Sequence, residues 1–187
     1  MLYISKGMVV RGSSEKALRV ARCGREYEMS GERASYWLAG RFSPVVVSGR
    51  DAVRDVMALA SDGLVETSTD GSYVAAYRLL SQCIICPAKV RSLPLMLSKQ
   101  ERQMLAWITR AGFRLNMSEL VYLAEQGIKP ISSLVGPEKW HILLDRIYTP
   151  HTIHDGILVS MMERSPAQGS VVDAVLALLR KKRVLLI

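Results

Sequence analysis

Helix-start and helix-stop residues divide this 187-residue chain into short apolar segments, and these boundaries constrain its fold more than any other feature. Ser98 and Glu101 have the spacing of a capping box, in which the serine oxygen and the glutamate carboxylate accept hydrogen bonds from backbone N–H groups at the helix start. Met104 and Ile108 follow at helical spacing, and Gly112 marks the end. Boundaries of this kind predict an α+β protein that is mainly helical.

The C-terminal half repeats this pattern of capped apolar segments. Asn116 or Ser118 has the side chain of an N-cap, and Ser170 has the same role before a run of valines and leucines. Val184–Ile187 is expected to pair as a strand, because a free apolar tail would be an exposed liability. The predicted elements of this half are helices at 98–112, 116–127, 140–147, 152–162 and 170–179, and a strand at 184–187.

The N-terminal half mixes strand and helix patterns. Asp70-Gly71 has the chemistry of a tight hairpin turn, so the residues on both sides of it are interpreted as strands. A helix that starts at Ser72 is the alternative for the second of these strands, because a short apolar run fits either structure. The predicted elements are a strand at 8–10, a strand at 17–22, a helix at 30–39, a helix at 48–60, a strand at 64–67 and a strand at 73–80.

Residues 87–97 contain two prolines and no helical period, which is typical of a boundary between domains. The prediction is therefore two domains, one at 1–90 and one at 91–187.

The overall composition is that of a globular protein, with 49% apolar and 22% charged residues. No run approaches the ~18 apolar residues of a membrane span, and the first residues lack the plan of a signal peptide. Three cysteines form a poor disulfide framework. We therefore expect a cytoplasmic protein without a membrane partner.

A formal net charge of +8 favours polyanionic partners, nucleic acid above all. The excess is spread evenly, with 13 basic and 9 acidic residues in 1–92 and 12 basic and 8 acidic residues in 93–187. Only Arg180-Lys181-Lys182-Arg183 forms a tight run, which suits either phosphates or the C-terminal end of a helix dipole. An ordinary solvated surface that happens to be basic is the alternative.

No motif of a known catalytic site is present: the chain has no Gly-rich phosphate loop, no HExxH and no GxSxG. We therefore expect neither an enzyme nor a cofactor. Cys83 and Cys86 have the spacing of two zinc ligands, and His151 and His154 could complete the set. The preferred interpretation is structural, with the cysteines as small apolar side chains and the histidines at a helix end.

The segment AVRDVMALASDGLVETSTDGSYVAAYRL resembles the last helix and wing of a winged-helix domain. Winged-helix proteins are usually DNA-binding, so the resemblance implies a bacterial transcription regulator that acts as a homodimer. It also implies a recognition helix at 48–60 and a wing that includes Arg78. The candidate nucleic-acid-binding residues are Arg50, Arg54, Arg78, Arg110, Arg114, Lys129, Arg180, Lys181, Lys182 and Arg183.

A second resemblance concerns ALRVARCGREYEMSGERASYWLAG, which is similar to the opening of the PqqD-like peptide-recognition domains. Those domains bind peptides by adding a strand to a sheet edge. The alternative function is therefore a non-catalytic protein- or peptide-interaction module. In the second half, LSKQERQMLAWI and NMSELVYLAEQG resemble a further helix-turn-helix unit that is followed by additional helices.

Overall fold

Eight α-helices and three small antiparallel sheets make up the described part of this computed structural model. The structure describes residues 1–14, 17–70, 72–88, 96–136, 138–149 and 155–187. This arrangement confirms the predicted α+β class.

The first sheet is built around strand β1, Leu2–Ser5, which lies between β5, Val45–Val46, and β6, Val65–Ser68. Both neighbours are antiparallel to it, and Tyr3 lies opposite Thr67 in the longer pairing. β1 and β5 have no counterpart among the predicted elements, because runs this short carry no alternation that periodicity can detect.

The second sheet contains β2, Met8–Val9, β3, Leu18–Arg22, and β4, Arg25–Met29, in that order. The strands predicted at 8–10 and 17–22 are confirmed, and they pair with each other antiparallel. Cys23 and Gly24 both have positive φ, of 49° and 78°, and form the two-residue turn before β4. Such turns match the twist of the strands on either side.

Helices α1, Gly31–Ala39, and α2, Arg50–Ser61, confirm the predicted helix pair. They pack on the first sheet, share a buried apolar cluster with the second, and bury Trp37 completely. The Trp37 indole N–H donates to the Lys6 carbonyl at 3.1 Å, and its own carbonyl accepts from the Ser5 hydroxyl at 2.7 Å. α1 is thereby fixed to the end of β1.

The strand predicted at 73–80 is wrong, because this segment is helix α3, Tyr73–Ser81. The alternative, a helix that starts at Ser72, is the observed structure. The Asp70 carboxylate accepts from the Ser72 N–H at 2.9 Å and from its hydroxyl at 2.7 Å, which leads the chain into a helix instead of back along β6. Tyr77 and Leu80 are buried at helical spacing.

The five remaining helices follow the predicted order. They are α4, Lys99–Arg110, α5, Met117–Glu125, α6, Trp140–Ile147, α7, Asp155–Met162, and α8, Gln168–Arg180. The capping box of Ser98 and Glu101 is confirmed, and Asn116 caps α5 with Glu119 in the same way. Ser170 does not cap α8: the helix begins earlier, and the Ser170 hydroxyl donates to the Ala167 carbonyl at 3.0 Å.

The predicted C-terminal strand is confirmed as β8, Val184–Leu186, which pairs antiparallel with β7, Ile85–Pro87. β7 has no counterpart among the predicted elements, since its residues directly follow α3 and end at a proline; a strand or a helix end was the interpretation for the cysteine pair that it partly contains. Ile85 also contacts Leu115 through a backbone N–H···O bond of 2.9 Å. This third sheet is therefore held by residues from distant parts of the chain.

Buried apolar side chains form two clusters. The first contains residues between Tyr3 and Val65, and the second contains residues from Tyr77 to Leu186 together with Ile4. α3 and β7, which precede residue 90, thus pack with the second cluster. The division into domains at residue 90 stays a prediction, and residues 89–95 lie outside the described part. No helix in that part is long and apolar enough to cross a membrane.

Replacing Ser98 by alanine removes the side-chain half of a capping box that is fully formed. We expect the free energy of unfolding to fall by about 1 kcal/mol, measured by urea denaturation. Ser30→Ala is the matched control, because Ser30 occupies the N-cap of α1 without a side-chain capping bond. That control is expected to change stability by less than about 0.5 kcal/mol. Equal losses in both variants would contradict the capping account.

Candidate functional site

A groove of about 1040 Å³ lies where the two apolar clusters meet. One wall contains β2 and the segment after α1, and the other contains β7, β8 and the C-terminal end of α8. We call it the basic groove, because five of its lining residues carry a permanent positive charge. They are Arg41, Arg114, Arg180, Lys181 and Lys182. No aspartate or glutamate side chain of the described residues lines it.

Two of these cations are held against the same aromatic ring. The Arg41 guanidinium lies 4.8 Å from the centroid of the Phe42 ring, and the Lys182 ammonium lies 5.2 Å from it. Contacts of this kind are favourable because the ring face is electronegative. Burial lowers the pKa of the Arg41 guanidinium from its ordinary value, yet arginine remains charged at neutral pH. The ring therefore holds positive charge from both walls at one place.

A third cation, Lys181, is already paired. Its ammonium lies 2.7 Å from both oxygens of Glu101 and donates to the Met96 carbonyl at 3.1 Å. The hydrogen bond from Lys181, together with that from the Ser98 N–H, holds the pKa of the Glu101 carboxyl below its ordinary value. Lys181 thus joins the end of α8 to the start of α4, and the groove keeps four cations without a paired carboxylate among the described residues.

Apart from the cations, the lining of the groove is largely apolar. These apolar side chains come from both walls and include Met8, Val9, Phe42, Pro87, Leu185 and Ile187. Met8 is 47% exposed, although a side chain of this kind is usually buried. A lining that combines cations with apolar side chains is suited to a ligand that has both charged and apolar groups.

Edge strands form part of each wall. β2 is the outer strand of its sheet, and β8 pairs with β7 alone among the strands of the described residues. Gly7, just before β2, donates its N–H to the Leu186 carbonyl at 2.7 Å and so joins the two walls at one end. Gly7 has a φ of 106°, and a Cβ there would lie 2.7 Å from Val20 Cγ1, so the position requires glycine.

Four of the predicted nucleic-acid-binding residues come together in this groove: Arg114, Arg180, Lys181 and Lys182. Arg41 was missed, because it is a single arginine in a short linker and nothing nearby in the sequence marks it. The other predicted residues, Arg50, Arg54, Arg78, Arg110, Lys129 and Arg183, do not line the groove.

Several of the predicted residues outside the groove are engaged elsewhere. Arg54 lies 3.1 Å from Asp51 on the same exposed face of α2. Arg78 was predicted to lie on a wing, which is wrong: it is on α3 and pairs with Glu163 at 2.6 Å and with Asp70 at 3.5 Å. These carboxylates reduce the positive charge available at α2 and α3.

The two spaced cysteines are buried in apolar surroundings. Burial raises the pKa of the Cys83 thiol to about 12. This thiol donates a hydrogen bond to the Leu79 carbonyl at 3.2 Å. Burial also raises the pKa of Cys86, against an opposing effect of Arg114. A cysteine binds metal as the thiolate, and burial in apolar surroundings disfavours this charged form. His151 and His154 lie outside the described residues, and the described ones contain no group of three or more metal-binding side chains.

No family model, curated protein or solved structure matches this chain.

Replacing Glu101 by glutamine tests the pair with Lys181. Glutamine keeps an oxygen for the Ser98 N–H but loses the charge. We therefore expect the free energy of unfolding to fall by about 1 kcal/mol at pH 7. A carboxyl with a lowered folded pKa stabilises fully above its unfolded pKa, about 4.3, and loses that effect as the pH falls through the folded value. The difference in free energy of unfolding between wild type and Glu101→Gln should therefore become smaller from pH 5 to pH 3 in urea titrations. A difference of constant size would contradict the lowered pKa of Glu101.

Thiol titration with an aromatic disulfide reagent tests the burial of the cysteines. Cys23 is exposed, whereas Cys83 and Cys86 are buried. At pH 8 we expect one thiol to react within minutes in the native protein, and all three in denaturant, since only accessible thiolates attack. Cys23→Ser should abolish the fast reaction. Fast reaction of two or three native thiols would refute the buried environment of the pair.

Proposed function

We propose that this protein binds nucleic acid through the basic groove. The observation that carries the proposal is the meeting of five cations, from distant parts of the chain, around one concavity that no described carboxylate side chain lines. The phosphate backbone of nucleic acid has the regularly spaced negative charge that complements it. A cytoplasmic location, as expected from the sequence, suits such a partner.

The energetic basis would be release of counterions from the phosphate backbone. Each phosphate neutralised by an arginine or lysine frees condensed cations, so affinity falls as the salt concentration rises. Four cations without a paired carboxylate would give a steep dependence. Arginine also offers paired donors in a fixed geometry, which suits phosphate oxygens.

The groove supports this proposal better than the predicted recognition helix does. On α2, Asp51 pairs with Arg54, and Asp55 adds a further negative charge. Phosphates would meet repulsion there. The winged-helix resemblance supports the proposal only through α1, α2 and β6. The segment that was expected to form the second wing strand is helix α3. A DNA-binding regulator of this kind would hold its ligand away from α2.

An acidic peptide is the second candidate, and the edge strands favour it. β2 and β8 both line the groove, and a peptide could add to either edge through main-chain hydrogen bonds. This is the mode expected from the PqqD-like resemblance. The cations would then require acidic side chains in the peptide.

The proposal is tested by fluorescence anisotropy with labelled 20-nucleotide DNA, both as a single strand and as a duplex. We expect the double variant Arg180→Gln/Lys182→Gln to weaken binding at least tenfold in 50 mM salt. The slope of log affinity against log salt should become shallower by between one and two, since two phosphate contacts are lost.

The matched control is Arg50→Gln/Lys129→Gln, which removes one arginine and one lysine that are exposed outside the groove. This control has the same net charge as the groove double variant and tests two of the other predicted residues. We expect it to change DNA affinity by less than twofold. Equal losses in both double variants would show that the charge acts diffusely. Absence of DNA and RNA binding, with binding of a labelled poly-glutamate peptide, would replace the proposal by the second candidate.

A further inference from the structure

We infer that the basic groove takes a single strand of nucleic acid, with phosphates on its cations and bases against its apolar side chains. This inference rests on the proposed function and narrows it to one class of ligand. Three features of the groove carry it: the apolar side chains among its cations, the group formed by Arg41, Phe42 and Lys182, and the absence of asparagine, glutamine and acidic side chains from its described lining.

The first feature is the presence of apolar side chains in the same lining as the charges. A duplex carries its phosphates outside and keeps its base faces stacked within, so it would leave these apolar side chains without base contacts. A single strand presents phosphates and unstacked base faces on the same backbone, and proteins that bind it combine cations with stacking surfaces. The exposed Met8 and the half-buried Leu185 provide apolar contact area for such bases.

The second feature is the group formed by Arg41, Phe42 and Lys182. Phe42 is half-buried and holds both cations near its ring. A guanidinium plane supported in this way can stack on a base of any identity while its N–H groups face a phosphate. The group therefore combines both kinds of contact within a few ångströms.

The third feature is the chemistry of the lining. Asparagine, glutamine and the acidic residues, which read base edges in many complexes, are missing from the described residues that line it. The Ser5 hydroxyl is already used, since it donates to the Trp37 carbonyl at 2.7 Å. The arginines and lysines that remain can contact guanine edges, but in the inferred complex phosphates engage them, so binding should depend little on sequence. The volume, about 1040 Å³, fits a short stretch, comparable to the lower limit of about 4 nucleotides known for single-strand sites.

The experiment measures anisotropy of labelled dT12, the corresponding dT·dA duplex of 12 base pairs, and a 12-residue abasic strand with the same phosphates. We expect dT12 to bind at least tenfold more tightly than either of the others. Unlabelled dT2, dT4 and dT8 should compete with affinities that rise steeply up to about four nucleotides and slowly beyond.

The variant Phe42→Leu keeps an apolar side chain but removes the ring. It should weaken dT12 binding about tenfold and leave duplex binding within twofold. Phe113→Leu is the matched control, because Phe113 packs against the second cluster outside the groove, and it should leave dT12 binding within twofold. If Phe42→Leu does not fold, by circular dichroism, the abasic comparison on the wild-type protein decides the question.

The outcomes separate this inference from the proposed function. Equal or tighter binding of the duplex or the abasic strand, still weakened by Arg180→Gln/Lys182→Gln, would overturn the single-strand inference and leave nucleic-acid binding in place. No binding of any of the three probes at 50 mM salt would overturn both.

Discussion

The alternation of side chains along β1 is the constraint on which the rest of the structure depends. Neighbouring residues of a strand point to opposite faces. Tyr3 is therefore buried in the first cluster while Ile4 is buried in the second. At the end of this strand Lys6, only 3% exposed, pairs with Glu66. Loss of Glu66 would leave the buried Lys6 ammonium unpaired, which is far more costly than loss of an exposed pair.

The position of the basic groove follows from this arrangement. The chain leaves β1 at Gly7, which contacts Leu186, and continues into β2, so the edge strands of two sheets meet beside the point where the clusters join. α8 ends at the same place. Cations are favoured at a helix C-terminus by its dipole, which accounts for Arg180 there whether or not a ligand binds. Arg41, one residue past the C-cap of α1, has the same local reason, whereas Arg114 lies three residues past the C-cap of α4. The meeting of these three cations, from distant parts of the chain, is what distinguishes the groove from an ordinary helix end.

Local chemistry in the sequence was sufficient to predict most helices, and tertiary contacts explain what was missed. Capping by Ser98 and Asn116 depends on atoms within four residues, so it could be predicted. The Asp70 turn was misinterpreted, because an Asp-Gly pair is typical of hairpins, whereas here the Asp70 carboxylate binds Ser72 at the helix start and Tyr77 packs in the second cluster. The groove itself could be predicted only in part: the run at 180–183 was visible, but its convergence with Arg41 depends on contacts between distant segments.

The groove has one wall from each cluster, and this has a consequence for how the chain unfolds. Two cores joined by a short strand can lose their structure in separate steps. A ligand that touches both walls binds only while both cores are formed, and at a hundred times its dissociation constant it adds about 2.7 kcal/mol to the native state. Ligand bound in the basic groove therefore couples the unfolding of the two cores. If the free protein melts in two transitions, the ligand-bound protein would melt in a single cooperative transition.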